Sequence, residues 1–142
     1  MTANYFVDSN VLIYLYERTT KTEQARACIA ALSRAGVITI SPQVIAEVFV
    51  NVVRIVGERE AASYCRELIA TCSIQPLDGV TSDSVLRICA ATGFSFWDSQ
   101  ILATAIASGA HHLFTEDLQD GQVIDGVTVV DPFAEGFDVS AL

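Results

Sequence analysis

Short apolar runs alternate along this chain with longer stretches whose apolar residues recur every three or four positions, the signature of strands and helices taking turns. Tyr5-Phe6-Val7 reads as a brief buried strand closed by Asp8-Ser9-Asn10, with a helix beginning over 11–16. Ala25, Ile29 and Leu32 mark a helix over 22–35 that stops at Gly36, a glycine in the position just past a helix end. Val37-Ile38-Thr39-Ile40 is the second strand. Ser41-Pro42 then supplies an N-cap and a first-turn proline for a helix to about Val56, stopped by Gly57. A fourth helix covers 58–72. Ile74-Gln75-Pro76-Leu77 is a short edge strand, because proline cannot donate to a central ladder. A fifth helix spans 81–92, and a sixth, capped by Ser95, runs to Ser108. His112 to Thr115 forms a strand, 121–126 a polar connection and 127–130 a final strand.

Strands alternating with helices predict an α/β chain: a mainly parallel central sheet with helices on both faces, three layers in all. In such a sheet the strand ends open together at a crevice, which would place Asp8 and the acidic loop after His112 to Thr115 side by side. The length of 142 residues suits one domain over 1–142, with 131–142 as a loosely held tail. Hydrophobic residues make up 51% of the chain and mean hydropathy is +0.42, so part of the surface is expected to be covered by another subunit or partner. The longest apolar region, 44–56, is interrupted by Glu47, Asn51 and Arg54 and is too short for a bilayer. With no basic segment at the N-terminus to suggest secretion, the expected location is the cytoplasm. Cys28, Cys65, Cys72 and Cys89 have no C-x-x-C spacing or nearby histidine, and read as packed, reduced thiols.

Charge narrows the chemistry. The net charge is −9, and the eight basic residues are Lys21 and seven scattered arginines, without the stripe of a conventional nucleic-acid binder. Any polyanionic substrate would need a metal, a local arginine rim or a partner's residues. Candidate chemistry lies instead in Asp8, Glu47, Asp98 and Asp117, which an α/β fold can bring together from separate elements. Converging carboxylates repel unless protons or a cation neutralise them, and at neutral pH a hard divalent ion with oxygen ligands serves.

Each residue also has a purely structural explanation. Asp8 suits a helix N-cap, and Ser9 and Asn10 suit the same turn. Gln43, Glu47, Asn51 and Arg54 form one polar stripe that would face water. Asp98 lies three residues after Ser95, as in a capping box, and Trp97 suits the core or an interface better than a base-stacking platform. Thr115, Glu116, Asp117 and Asp120 form an acidic loop after a strand, and His111-His112 sit at a strand edge. The order of these residues along the chain carries more than any one of them.

In series, Phe6-Val7-Asp8-Ser9-Asn10-Val11-Leu12-Ile13, Ser41-Pro42-Gln43-Val44-Ile45-Ala46-Glu47, 95–105 and Leu113-Phe114-Thr115-Glu116-Asp117 resemble the PIN-domain nucleases, most of all the compact bacterial VapC-type toxins. The resemblance covers nearly the whole chain. It implies a PIN-like fold with an acidic pocket for Mg²⁺ or Mn²⁺. Asp8, Glu47 and Asp98 match the first three acidic positions and Asp117 the fourth, with Glu116 as the competing neighbour. Ser9 and Thr115 match small hydroxyl positions lining the pocket, and Asn10 an organiser of the first turn. Metal held there would lower the pKa of bound water and orient it toward a phosphodiester. The implied activity is endonucleolytic cleavage of RNA leaving 5′-phosphate and 3′-hydroxyl ends. The implied partners are a second copy in a homodimer and a cognate antitoxin whose tail enters the acidic groove.

The rivals fit less well. A haloacid-dehalogenase-like phosphatase needs a second aspartate where Asn10 stands, and both that class and response-regulator receivers need a late lysine, whereas Lys21 is the last. A catalytically inactive PIN module that only binds RNA or protein is the remaining alternative.

Overall fold

A computed structural model describes residues 2–141; the terminal Met1 and Leu142 lie outside it. Strand β1 (Ala3–Val7) leads into the one-turn helix α1 (Ser9–Ile13) and then α2 (Thr22–Ala35). Strand β2 (Gly36–Ile40) is followed by α3 (Pro42–Val56), α4 (Glu58–Thr71) and the short β3 (Ser73–Ile74). Helices α5 (Gly79–Thr92) and α6 (Phe96–Ala107) precede β4 (His112–Phe114), β5 (Val123–Ile124) and β6 (Val127–Val130). The strands make one six-stranded sheet in the order β3-β2-β1-β4-β6-β5, parallel except for the β5–β6 pair. Helices α1 and α4 pack on α3, and α5 packs on α6. This is the expected mainly parallel, helix-flanked α/β architecture.

The core follows from the apolar pattern. Phe6, Val7, Leu113 and Phe114 of the two central strands are fully buried, together with Ile40, Val44, Val48 and Val52. Each such side chain contributes roughly 1.5–3 kcal/mol by leaving water. Ser41 Oγ accepts the Val44 N–H at 3.3 Å, so the sequence-predicted cap opens α3. Replacing Ser41 with alanine should cost about 1 kcal/mol in urea denaturation, because the buried Val44 N–H loses its partner.

Several local expectations change: the edge strand read over 74–77 is Ser73–Ile74, and the first helix, read over 11–16, is Ser9–Ile13. Gly36 does not end α2 in a left-handed turn. Its backbone is extended, it opens β2, and a Cβ there would collide with the carbonyl oxygen of Ala3 on the paired strand. Its smallness, not its conformational freedom, is what the sheet requires. Within the supposed polar connection, Val123–Ile124 forms β5, turned back onto β6 through Asp125 (φ 47°) and Gly126 (φ 84°). An Asp-Gly pair with both φ angles positive is the tight hairpin turn such strands prefer. The segment from Asp131, expected to be loosely held, packs Phe133 and Phe137 against the core, with Phe133 edge-on to Tyr14 at 5.2 Å between ring centroids.

Register then places the functional residues. β1 and β4 are adjacent and in parallel register, Val7 opposite Phe114, so Asp8 and Thr115 leave the same edge of the sheet together. The Asp8 N–H donates to the Phe114 carbonyl at 3.0 Å, and Thr115 N–H to Val130 at 3.0 Å. Neighbouring β2 delivers α3 to that edge, and with it Glu47.

Candidate active site

Asp8 stands at the bottom of the site, 4% exposed. It caps α1 as the sequence suggests, Oδ1 accepting the Ser9 N–H at 2.7 Å, but this uses one oxygen only. Oδ2 accepts the Thr115 hydroxyl at 2.9 Å and a longer bond from Asn10 Nδ2 at 3.5 Å. Capping and pocket placement therefore coexist. Burial pushes the Asp8 carboxyl up to about 7; the Ser9 and Thr115 hydrogen bonds oppose this, while the nearby charges of Glu47 and Asp117 add to it.

Asn10 ties the two strand ends together. Its Nδ2 also donates to Thr115 Oγ1 at 3.1 Å and to Asp117 Oδ2 at 3.2 Å, and its Oδ1 accepts the Glu116 N–H at 3.4 Å. Thr115 Oγ1 in turn accepts the Asp117 N–H at 3.1 Å. Asp117 thereby faces Asp8 across one amide.

Glu47 leaves the solvated stripe that its spacing suggested. Its Oε1 is buried and has no hydrogen-bond partner, although Ser9 and Gln43 approach the carboxylate closely enough to temper the upward shift that burial imposes on it. Asp117 and Asp98 push the same group further up. Asp98 sits in the first turn of α6, its N–H bonded to the Ser95 cap at 3.1 Å. Asp117 is likewise raised, by partial burial first and then by Asp98, Glu116 and Asp131, with Asn10 opposing. Asp8 is thus repelled by Glu47 and Asp117, and these two in turn by Asp98. Trp97 is 63% exposed, which removes it from the core.

The adjacent Glu116 is engaged elsewhere. Tyr14 donates its hydroxyl to Oε1 at 2.5 Å and Lys21 Nζ reaches Oε2 at 2.5 Å. Sequence reading missed Tyr14 and Lys21 because nothing in their spacing links them to a loop some hundred positions later. It also missed the Gln43–Gln100 brace, in which Gln100 Nε2 donates to Gln43 Oε1 at 2.7 Å and Gln43 Nε2 to the Trp97 carbonyl at 3.3 Å, joining α3 to α6.

The donor set is all oxygen and anionic, which suits a hard divalent cation. A buried carboxylate held near neutrality and an orphaned Glu47 oxygen are the residues' side of that fit. Among the described residues no three His, Cys, Asp or Glu side chains form a ready-made metal cage. The carboxylates are coupled neighbours and not a closed coordination shell, an arrangement compatible with an ion that keeps several of its waters, as Mg²⁺ does.

The family model for the PIN domain matches residues 5–119, from β1 through the acidic turn. The chain belongs to the PIN domain family. Solved structures agree on the PIN fold. A toxin–antitoxin complex from Klebsiella pneumoniae aligns with a TM-score of 0.70 at 24% identity, covering 91% of this chain and 98% of that one. The sarcin-ricin loop cleaving toxin VapC20 of Mycobacterium tuberculosis gives 0.67 at 18% identity, over 80% and 91%. DNA-bound VapBC from Salmonella typhimurium gives 0.68 at 16% identity, over 92% and 98%. No curated protein sequence matches. In this PIN domain the strand register brings Asp8 and the turn that carries Asp117 to the edge of the sheet where β1 and β4 end.

Proposed function

We propose that this PIN domain is a metal-dependent endoribonuclease and the toxin of a toxin–antitoxin pair. The observation carrying the reading is the buried acidic group: Asp8 is driven up to about 7, by burial first and by Glu47 and Asp117 after it, and Glu47 Oε1 lacks a hydrogen-bond partner, so the fold holds desolvated carboxylates that a divalent cation would neutralise. Asp8, Glu47, Asp98 and Asp117 would hold Mg²⁺ or Mn²⁺. Such an ion supplies Lewis acidity and an activated water for phosphodiester hydrolysis when bound. Asn10 and Thr115 keep Asp8 and Asp117 facing each other, and Ser9 lines the floor beside Glu47. Both oxygens of Glu116 are occupied, which favours Asp117 over Glu116 as the fourth ligand.

RNA is the substrate class that the family membership and the VapC20 likeness support. An antitoxin and a second copy of the chain are the partners, and exposed Val80, Leu86 and Val123 offer apolar surface for them. No helix among the described residues is long and apolar enough to cross a membrane. A second reading, an inactive module that only binds, draws on the absence of a closed metal cage among the described residues.

Incubating the purified protein with structured RNAs separates these readings. Cleavage should stop with EDTA, return with Mg²⁺ or Mn²⁺, and fall by about 100-fold or more in Asp98→Asn and Glu47→Gln. Binding without cleavage under every metal condition would favour the inactive module, and equal cutting by wild type and both variants would place the site elsewhere.

A further inference from the structure

The acidic turn after β4 carries two adjacent carboxylates, Glu116 and Asp117, of which Asp117 faces Asp8 across Asn10. The Glu116 carboxylate is held by two side chains from far earlier in the chain. Lys21 Nζ forms the ion pair with Oε2, and the Tyr14 hydroxyl donates to Oε1. The same ammonium lies 5.4 Å from the centroids of both the Tyr14 and Phe133 rings, which are themselves edge to face. Cation–π attraction and the ion pair therefore act on one point charge, and the side chain that carries it is the only lysine in the chain. On the other side of the turn, Asn10 takes the Glu116 N–H and donates to Asp117.

We propose that Lys21, with Tyr14 and Phe133, is a positioning residue that sequesters Glu116 so that Asp117 alone completes the acidic pocket. The inference rests on the metal-nuclease reading of that pocket. A freed Glu116 sits one residue from Asp117, on a turn already crowded with negative charge, and would compete for the cation. An additional carboxylate turned toward the site would tighten cation binding and shift where the cation is held, so affinity would rise while activity falls. The C-terminal segment takes part through Phe133, so the packing of the tail reaches the acidic turn.

The test compares wild type, Lys21→Met, Lys21→Arg and the double variant Lys21→Met/Glu116→Gln. Manganese affinity is read on RNA-free protein by electron paramagnetic resonance of unbound Mn²⁺, and kcat and KM on a structured RNA. Lys21→Met is expected to bind Mn²⁺ several-fold more tightly while kcat falls about 10- to 100-fold at unchanged KM. Adding Glu116→Gln, which keeps the shape but cannot compete as an anion, should return both quantities to near wild type, as should Lys21→Arg. A double variant as impaired as Lys21→Met overturns the proposal. So does a salt-dependent rise in KM with kcat unchanged, which would make Lys21 a phosphate contact on the RNA. Should wild type cut no RNA, the nuclease reading fails, and the Mn²⁺ comparison still decides whether Lys21 controls Glu116.

Discussion

Replacing Asp8 with asparagine is expected to abolish RNA cleavage, by on the order of a thousandfold or more, while making the metal-free protein more stable at pH 8. The activity loss follows from removing the most buried anion of the pocket. The stability gain follows from linkage. In the unfolded chain an aspartate titrates near 3.9, whereas in the fold burial raises Asp8 to about 7. The folded state holds that proton more tightly, so the stabilisation is complete below pH ~4 and is lost as pH rises through ~7. At pH 8 the ionised, largely desolvated carboxylate opposes folding. Asparagine keeps the size and the capping ability without the charge, and should gain on the order of 2 kcal/mol at pH 8 and nothing near pH 4. Urea denaturation at the two pH values, beside a cleavage assay, checks both halves. An Asp8→Asn protein that cuts RNA as wild type does would remove Asp8 from the chemistry.

Adding Mg²⁺ or Mn²⁺ without RNA should raise the melting temperature markedly at pH 8 and hardly at pH 5. A ligand at a hundred times its Kd that binds only the folded state adds about 2.7 kcal/mol. For a domain of this length that is a rise of about 8 °C. At pH 5 Asp8 carries its proton, because its folded-state pKa lies near 7, and the pocket loses its deepest ligand. The rise should also disappear in Asp8→Asn. Differential scanning calorimetry with and without metal measures it, and an equal rise at both pH values would mean that the cation binds outside this pocket.

Much of this was legible in the residues. The helix over 22–35 and the strand over 127–130 have the expected bounds, since both are set by strong local signals: apolar spacing in one, a β-branched run in the other. Ser41 and Ser95 cap the helices they were expected to cap. β5 was overlooked because two residues cannot display a period, although Asp125-Gly126 signalled the hairpin. Gly36 was misjudged because a tight approach of two strands has no local mark, and its reason lies in Ala3 across the ladder. At the site, spacing gives Glu47 a place on a polar stripe but cannot say that α1 packs against α3 or that one of the Glu47 oxygens is buried. The choice between Glu116 and Asp117 is likewise invisible to local pattern. Tyr14 and Lys21 decide which of the neighbours is occupied, and only the fold brings them there.

The sheet ends on both sides in a strand of two residues, β3 and β5. One is followed by Pro76, which has no N–H to offer, and the other is closed by its own hairpin turn. Long unpaired borders are what let a foreign segment join a sheet by strand addition. Here the border offers too few backbone groups for that. A second polypeptide is therefore not expected to join by strand addition, and association should rest on side chains, the exposed Val80, Leu86 and Val123 among them, in defined assemblies rather than open-ended stacking.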